Sequence, residues 1–280
     1  MEIRPLCDAV GAEVTGVDLT QPLDDDTRKQ IHEAFLEFHL LCFRGDPLTP
    51  AAFARVSRIF GEPQFQLIRD RRHGETPEVS ILNSTYEKPE DKPDDLRLMR
   101  LTGWHTDDSY FAQPAKATLL QSIEIPETGG QTSFCSMEKA YDDWPDDKKR
   151  HADGLRAVHS YDTMRTPARA VKRRKVEAEE TPDVVHPLIR THEDTGRKTI
   201  YVNTNRTDRI VDMDRAESDA LLDEIYEHVT RPEYIYRHEW RVGDLLVWDN
   251  RCLMHSVNMD FPVGQTRLHQ RILLKGPTPV

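Results

Sequence analysis

The chain has 280 residues, of which 37% are hydrophobic and 31% charged, with a net charge of −11. The length admits one large or two small domains, and the apolar share is enough for a core. The acidic balance excludes a general nucleic-acid binder, which needs a basic face. Cys7, Cys42, Cys135 and Cys252 are far apart with no CxxC pair. They read as free thiols in a reducing compartment, not as a disulfide frame or zinc knuckle. The opening Met1-Glu2-Ile3-Arg4-Pro5 has no apolar signal core, and no apolar run reaches membrane-spanning length. A cytoplasmic protein without a membrane partner is expected.

Taken in order, Val10–Leu19 alternates weakly and reads as a strand. Asp24-Asp25-Asp26 supplies caps and negative charge for a helix to about Leu40, with Ile31, Ala34, Phe35 and Phe38 inward. Leu40–Phe43 is a short apolar strand. Thr49-Pro50 starts a second helix burying Phe53, Val56 and Ile59 or Phe60, with Gly61 expected just past its end. Val79–Leu82 is a strand, and Tyr86–Asp95 a charged loop. Strands follow at Ala117–Ile125 and Gln131–Phe134, around a Pro126–Gly130 turn. Two helical pieces, Ser136–Trp144 and Asp146–Gly154, precede a strand at Leu155–Tyr161.

The stretch 162–182 breaks the pattern. Arg165, Arg169, Lys172, Arg173, Arg174 and Lys175 are followed by Glu177, Glu179 and Glu180. It reads as a lid or mobile insertion within one domain spanning 1–280, the alternative being a plain solvated loop. Val184–Thr191 and Lys198–Asn203 read as a hairpin across Glu193–Gly196. Asp214–Val229 is a helix with Ala220, Leu221, Ile225 and Val229 inward. Short strands follow at Tyr234–Trp240, Leu245–Trp248, Leu253–Ser256 and Leu268–Leu274, with a tight turn at Arg241–Asp244. Many short strands with helices in blocks, and no βαβ rhythm, predict a mainly β protein with flanking helices, a sandwich or jelly roll.

The chemistry-bearing stretch is Trp104-His105-Thr106-Asp107-Asp108-Ser109-Tyr110. His105 and Asp107, two apart, share a face if extended. With the distant His255 they make two imidazoles and one carboxylate, the facial set that leaves positions open on Fe(II) for a co-substrate and O₂.

Trp104-His105-Thr106-Asp107, Gly129-Gly130-Gln131-Thr132, His186–His192, Trp248-Asp249-Asn250-Arg251, His255 and Arg267-x-x-x-Arg271 together resemble the TauD/TfdA family of Fe(II)- and 2-oxoglutarate-dependent dioxygenases. The likeness spans nearly the whole chain. It implies a double-stranded β-helix, with His105, Asp107 and His255 as iron ligands, also carrying the catalysis. It implies that Thr132 bonds 2-oxoglutarate and that Arg267 grips its distal carboxylate, a guanidinium being suited to a bidentate carboxylate pair. Arg271, four residues on, is expected on the same side and belongs with Thr132 and Arg267 to the implied co-substrate-binding set; in some relatives the matching arginine also touches an anionic substrate. The implied reaction is hydroxylation of an aliphatic C–H bond, with succinate and CO₂ released. Asp107 favours hydroxylation, since related halogenases lack this carboxylate.

The resemblance further implies a homo-oligomer, dimer or tetramer. The substrate is expected to be a small anion, a carboxylate or sulfonate. Gln66 and Leu101 stand where taurine-specific relatives carry histidine and asparagine, which argues against taurine. His186 and His192 are read as structural, Trp104 and Trp248 as core, Asn203 as a hydrogen-bonding neighbour of the site, and Tyr110 as lining or packing. Two other readings fit the ligand set: a zinc hydrolase indifferent to 2-oxoglutarate, and a non-catalytic binding module on the same fold.

Overall fold

The computed structural model describes residues 1–85, 103–165 and 173–280. The expectations for the loop 86–95, for Leu101 and for residues 166–172 of the charged insertion lie outside them.

The fold is built on two facing sheets. The larger, eight-stranded sheet runs in the order Glu2–Pro5, Ala12–Thr15, Leu40–Phe43, Leu245–Asp249, Ala117–Glu124, Leu268–Leu274 and Pro63–Gln64, with Ser80–Asn83 also pairing to Leu268–Leu274. The smaller sheet has Ile235–His238, Thr132–Ser136 and Leu253–Val257, all antiparallel. This mostly-sheet arrangement with outer helices is the expected jelly roll.

Alternation within strands builds the layers. Leu40 and Cys42, with Leu246 and Trp248, turn inward to meet Phe134 and Leu253 of the smaller sheet. Their neighbours Leu41, Phe43, Leu245 and Val247 face the other way, against Ile31, Phe35, Phe53 and Val56 of the helices Asp25–Phe38 and Pro50–Ser57. These strands are buried on both faces, which is why they read as continuous apolar runs. On the far side, Met137–Asp142 and Arg215–Val229 bury Cys135 and Met254 of the smaller sheet.

The helix starts follow their caps. Asp24 accepts from Thr27 N at 2.7 Å and Asp214 from Ala216 N at 2.9 Å. Four details differ from the sequence reading. Helix Pro50–Ser57 ends at Arg58, where i→i−3 bonds from Ile59 and Phe60 tighten the last turn, so Gly61 is not its cap. Val184–Pro187 pairs with Arg156–His159, and only Ile189–Thr191 forms the hairpin with Lys198–Ile200. Ala220 is exposed, while Leu222 joins the buried face. Glu2–Pro5 forms an edge strand that its polar residues did not announce. The turn before Leu245 is steric: a Cβ on Gly243, at φ +88, would meet Gly45 O at 1.9 Å.

Leu246 is fully buried between the two sheets. Leu246→Ala is expected to cost about 2–5 kcal/mol, read as a lower denaturant midpoint with unchanged slope.

Candidate active site

His105 and Asp107 do not share a regular strand. His105 forms an isolated antiparallel bridge to His255. Its N–H donates to His255 O at 2.9 Å, and its carbonyl accepts from His255 N at 2.7 Å. The chain then turns, with Asp108 in the left-handed region at φ 58. The expected alternation along one strand is therefore replaced by a bridge followed by a turn. Thr106 Oγ1 anchors that turn to Asn250 O at 2.7 Å, and Asn203 Nδ2 donates to Thr106 O at 2.8 Å and Ser109 Oγ at 2.9 Å.

The result brings the three heads together. Donor atoms of His105, Asp107 and His255 all lie within 4.8 Å of one another. Nε2 of His105 is 3.9 Å from Asp107 Oδ1, Nε2 of His255 is 4.0 Å from Oδ2, and the two rings are 4.1 Å apart. His105 Nδ1 sits 2.8 Å from Gly103 O. A carbonyl only accepts, so Nδ1 carries the proton and Nε2 keeps its lone pair toward the cluster.

Asp107 is oriented by a relay. Trp248 Nε1 donates to Asn250 Oδ1 at 3.0 Å, Asn250 Nδ2 to Thr118 Oγ1 at 2.8 Å, and Thr118 Oγ1 to Asp107 Oδ2 at 2.7 Å. Burial pushes the Asp107 carboxyl up, but Arg271, then His255, His105 and the Thr118 hydroxyl outweigh it and hold it at about 2. The neighbouring Asp108 moves the other way: burial and the Asp107 charge raise it to about 6. Its oxygens accept from Tyr110 Oη at 2.7 Å and Gln64 Nε2 at 2.8 Å.

A second group assembles beside the smaller sheet. Thr132 Oγ1 accepts from Arg267 Nη2 at 3.3 Å and from Trp240 Nε1 at 3.0 Å, and Arg267 Nε donates to Gly130 O at 3.0 Å. Gly130 holds φ +71, in the left-handed region that favours glycine, and a Cβ there would crowd Pro126 Cγ at 3.1 Å. Arg271 reaches the other group, its Nη1 3.5 Å from Asp107 Oδ1. The arginines thus serve different ends of the site.

His186 Nε2 lies 3.0 Å from both Ser109 O and Phe111 O, fixing the loop beyond Asp107. Trp104, Trp248 and Tyr110 are buried, Tyr110 against Tyr161 with Arg206 over both rings. Gln66 is buried on the approach to the turn Arg69–Arg71.

Among the described residues, two further clusters hold potential ligand atoms: His39, His192, Asp249 and Cys252, and Cys42, His238 and Asp244. His192 and Asp249 of the first, and His238 and Asp244 of the second, are engaged with neighbouring groups, while neither ring nitrogen of His39 has a hydrogen-bond partner among the described residues, its Nε2 lying 3.3 Å from Glu138. His192 Nδ1 accepts from the Asp194 and Thr195 N–H groups, so its Nε2 carries the proton and donates to Asp249, which Arg251 also clamps. Asp244 accepts from His238, Arg44 and Arg241 N, and burial pushes the Cys42 thiol up to about 12. Sequence reasoning missed Thr118, Asp108 and Trp240. Asp108 lies within the quoted stretch but was given no role there, and only the folded contacts reveal what all three do.

The taurine catabolism dioxygenase TauD, TfdA family model matches residues 2–273. The chain is 32% identical to an alkylsulfatase of Acinetobacter baylyi, covering 99% of this chain and 85% of that protein. It is 31% identical to the alpha-ketoglutarate-dependent 2,4-dichlorophenoxyacetate dioxygenase of Cupriavidus pinatubonensis, covering 90% of each. The crystal structure of a taurine dioxygenase from Burkholderia xenovorans superposes with a TM-score of 0.84 at 32% identity, covering 100% of this chain and 90% of that one.

Burial holds His159, His186, His255 and His269 below the ordinary imidazole range, His186 at about 4 and His255 at about 3. Below about pH 6.5 the unfolded chain takes up protons that the folded chain refuses, so stability falls with pH. Half-buried His32 is lowered too, while Asp108, raised to about 6, and Asp142, also raised by burial, act oppositely, two carboxyls against five imidazoles. Metal-free protein is expected to show a lower denaturant midpoint at pH 5 than at pH 7.5; an equal or higher one contradicts this.

Proposed function

We propose, from the premise that this chain belongs to the TauD/TfdA family and is a 2-oxoglutarate-dependent dioxygenase, that it hydroxylates an aliphatic C–H bond of a small anionic substrate, releasing succinate and CO₂. The observation that carries the reading is the convergence of His105, Asp107 and His255 with a largely buried guanidinium, Arg271, beside them. The chain is taken as one catalytic domain over 1–280. Four cysteines without disulfides suit a reducing, cytoplasmic setting.

The donor set fits a ferrous ion: two imidazole nitrogens, one with its lone pair fixed inward, and a carboxylate held ionised. When bound, Fe(II) with 2-oxoglutarate activates O₂ for C–H hydroxylation while the co-substrate loses CO₂. His105, Asp107 and His255 would hold the ion on one face. Thr118 and Asn250 keep the Asp107 oxygens aimed. Thr132 and Arg267 would hold the co-substrate, Arg267 pairing with its distal carboxylate. Related halogenases lack the carboxylate that Asp107 would supply, which supports hydroxylation.

The substrate class rests on charge. Arg271 has Asp107 as its ion-pair partner among the described residues, and that carboxylate would also serve the metal. A substrate carboxylate, sulfonate or sulfate would satisfy the guanidinium left over. The relatives named for alkyl sulfate and 2,4-dichlorophenoxyacetate fit that class. The insertion supports a lid: Arg69 pairs with Glu180 at 2.7 Å and Glu177 at 3.8 Å, and Arg174 with Asp70, tying helix Lys175–Glu179 to the turn at Arg69–Arg71.

Succinate release is expected from a panel of alkyl sulfates, sulfonates and phenoxyalkanoates but not from neutral analogues; turnover of neutral compounds alone would remove the anion assignment. Asp107→Ala should abolish turnover. Arg267→Ala should weaken 2-oxoglutarate binding by about 2–5 kcal/mol, measured anaerobically by the visible charge-transfer band with Fe(II). Hydrolysis with Zn(II) and no 2-oxoglutarate requirement would replace this reading.

A further inference from the structure

The strand Leu268–Leu274 sends alternate side chains to opposite faces. Gln270 bonds Leu48 O at 2.8 Å, and Ile272 and Leu274 pack in the helix-covered cluster. His269 and Arg271 therefore take the interior face. Arg271 meets Asp107. His269 stands edge-on to Trp240, ring centres 4.6 Å apart. Trp240 in turn donates to Thr132, the hydroxyl that also accepts from Arg267. The imidazole thus belongs to the Thr132–Arg267 group.

His269 is fully buried, and neither of its ring nitrogens has a hydrogen-bond partner among the described residues. Burial, then Arg267 and His238, keeps it neutral. A neutral imidazole still carries one N–H, and leaving it unpaired in the interior carries a desolvation cost that leucine or phenylalanine would not. A polar group in that condition beside an arginine, a hydroxyl and an indole points to a ligand atom that completes it.

We propose that His269 is a positioning residue for the co-substrate, its N–H donating to the distal carboxylate that Arg267 pairs. The inference rests on the functional reading above. A carboxylate accepts several hydrogen bonds, so a guanidinium, a hydroxyl and an imidazole N–H can share it. A neutral donor adds a bond without adding charge. Arg267 alone then balances the single negative charge at that end.

The test separates this role from packing. His269→Phe keeps a ring against Trp240 and removes the N–H; His269→Leu removes both; His269→Gln restores a donor. Metal-free His269→Phe and His269→Leu are expected to melt at or above the wild-type temperature. Their affinity for 2-oxoglutarate should fall roughly ten- to a hundredfold, by anaerobic titration of the Fe(II) charge-transfer band and by calorimetry with the Mn(II) form. Affinity for Mn(II) alone should be unchanged, and His269→Gln should recover part of the loss. Wild-type co-substrate affinity in His269→Phe and His269→Leu overturns the proposal, as does an affinity loss accompanied by lower melting temperature or weaker Mn(II) binding. If His269→Phe does not fold, the leucine and glutamine variants decide. A wild-type enzyme that binds no 2-oxoglutarate defeats the functional reading itself; loss in Arg267→Ala with none at His269 defeats this inference alone.

Discussion

Two backbone hydrogen bonds between residues 105 and 255 hold this site together. They join an irregular loop to the strand Leu253–Val257 and fix the distance between two imidazoles that are 150 positions apart. Loop residues alone would leave His105 free to wander. Pairing it to a strand interior gives it the rigidity of the sheet. The turn beyond, with Asp108 in the left-handed region, brings the carboxylate to the same point. A residue other than glycine in that conformation carries strain, and here Thr106, Asn203 and His186 supply the bonds that hold it.

Around this bridge, polar groups are arranged in connected chains. The relay from Trp248 through Asn250 and Thr118 to Asp107 fixes a buried carboxylate from one side, and Arg271 supplies charge from the other. The Asp249–Arg251–His192 network behind it is likewise closed on itself. A partly connected network would cost more than an apolar interior. That difference separates the three ligand-bearing clusters. In two of them the aspartate and one histidine are engaged with each other and with neighbouring groups, whereas His105, Asp107 and His255 keep donor atoms directed at a common point.

The jelly roll supplies the separation of tasks. The larger sheet contributes Thr118 and Arg271, the smaller sheet Thr132 and His255, and both line the same interior. Strands buried on both faces make these positions stiff. The same two-sided burial puts His269 in the interior against Trp240, with no hydrogen-bond partner for its ring nitrogens among the described residues.

The sequence by itself determined the strand-rich class, the helix starts at Asp24, Thr49 and Asp214, and which residues stand in recognisable motifs. Those features follow from local patterning, from caps whose bonds close within three residues, and from motifs that can be read without a fold. Tertiary structure alone decided how they meet. His105 and Asp107 converge through a bridge and a turn instead of along one strand, and Arg267 and Arg271 part toward different neighbours. Thr118, Trp240 and His269 acquire meaning only by contact. The physical reason is that their partners lie 11 to 164 positions away in sequence, and long-range register is set by the packing of both sheets, which no single stretch encodes.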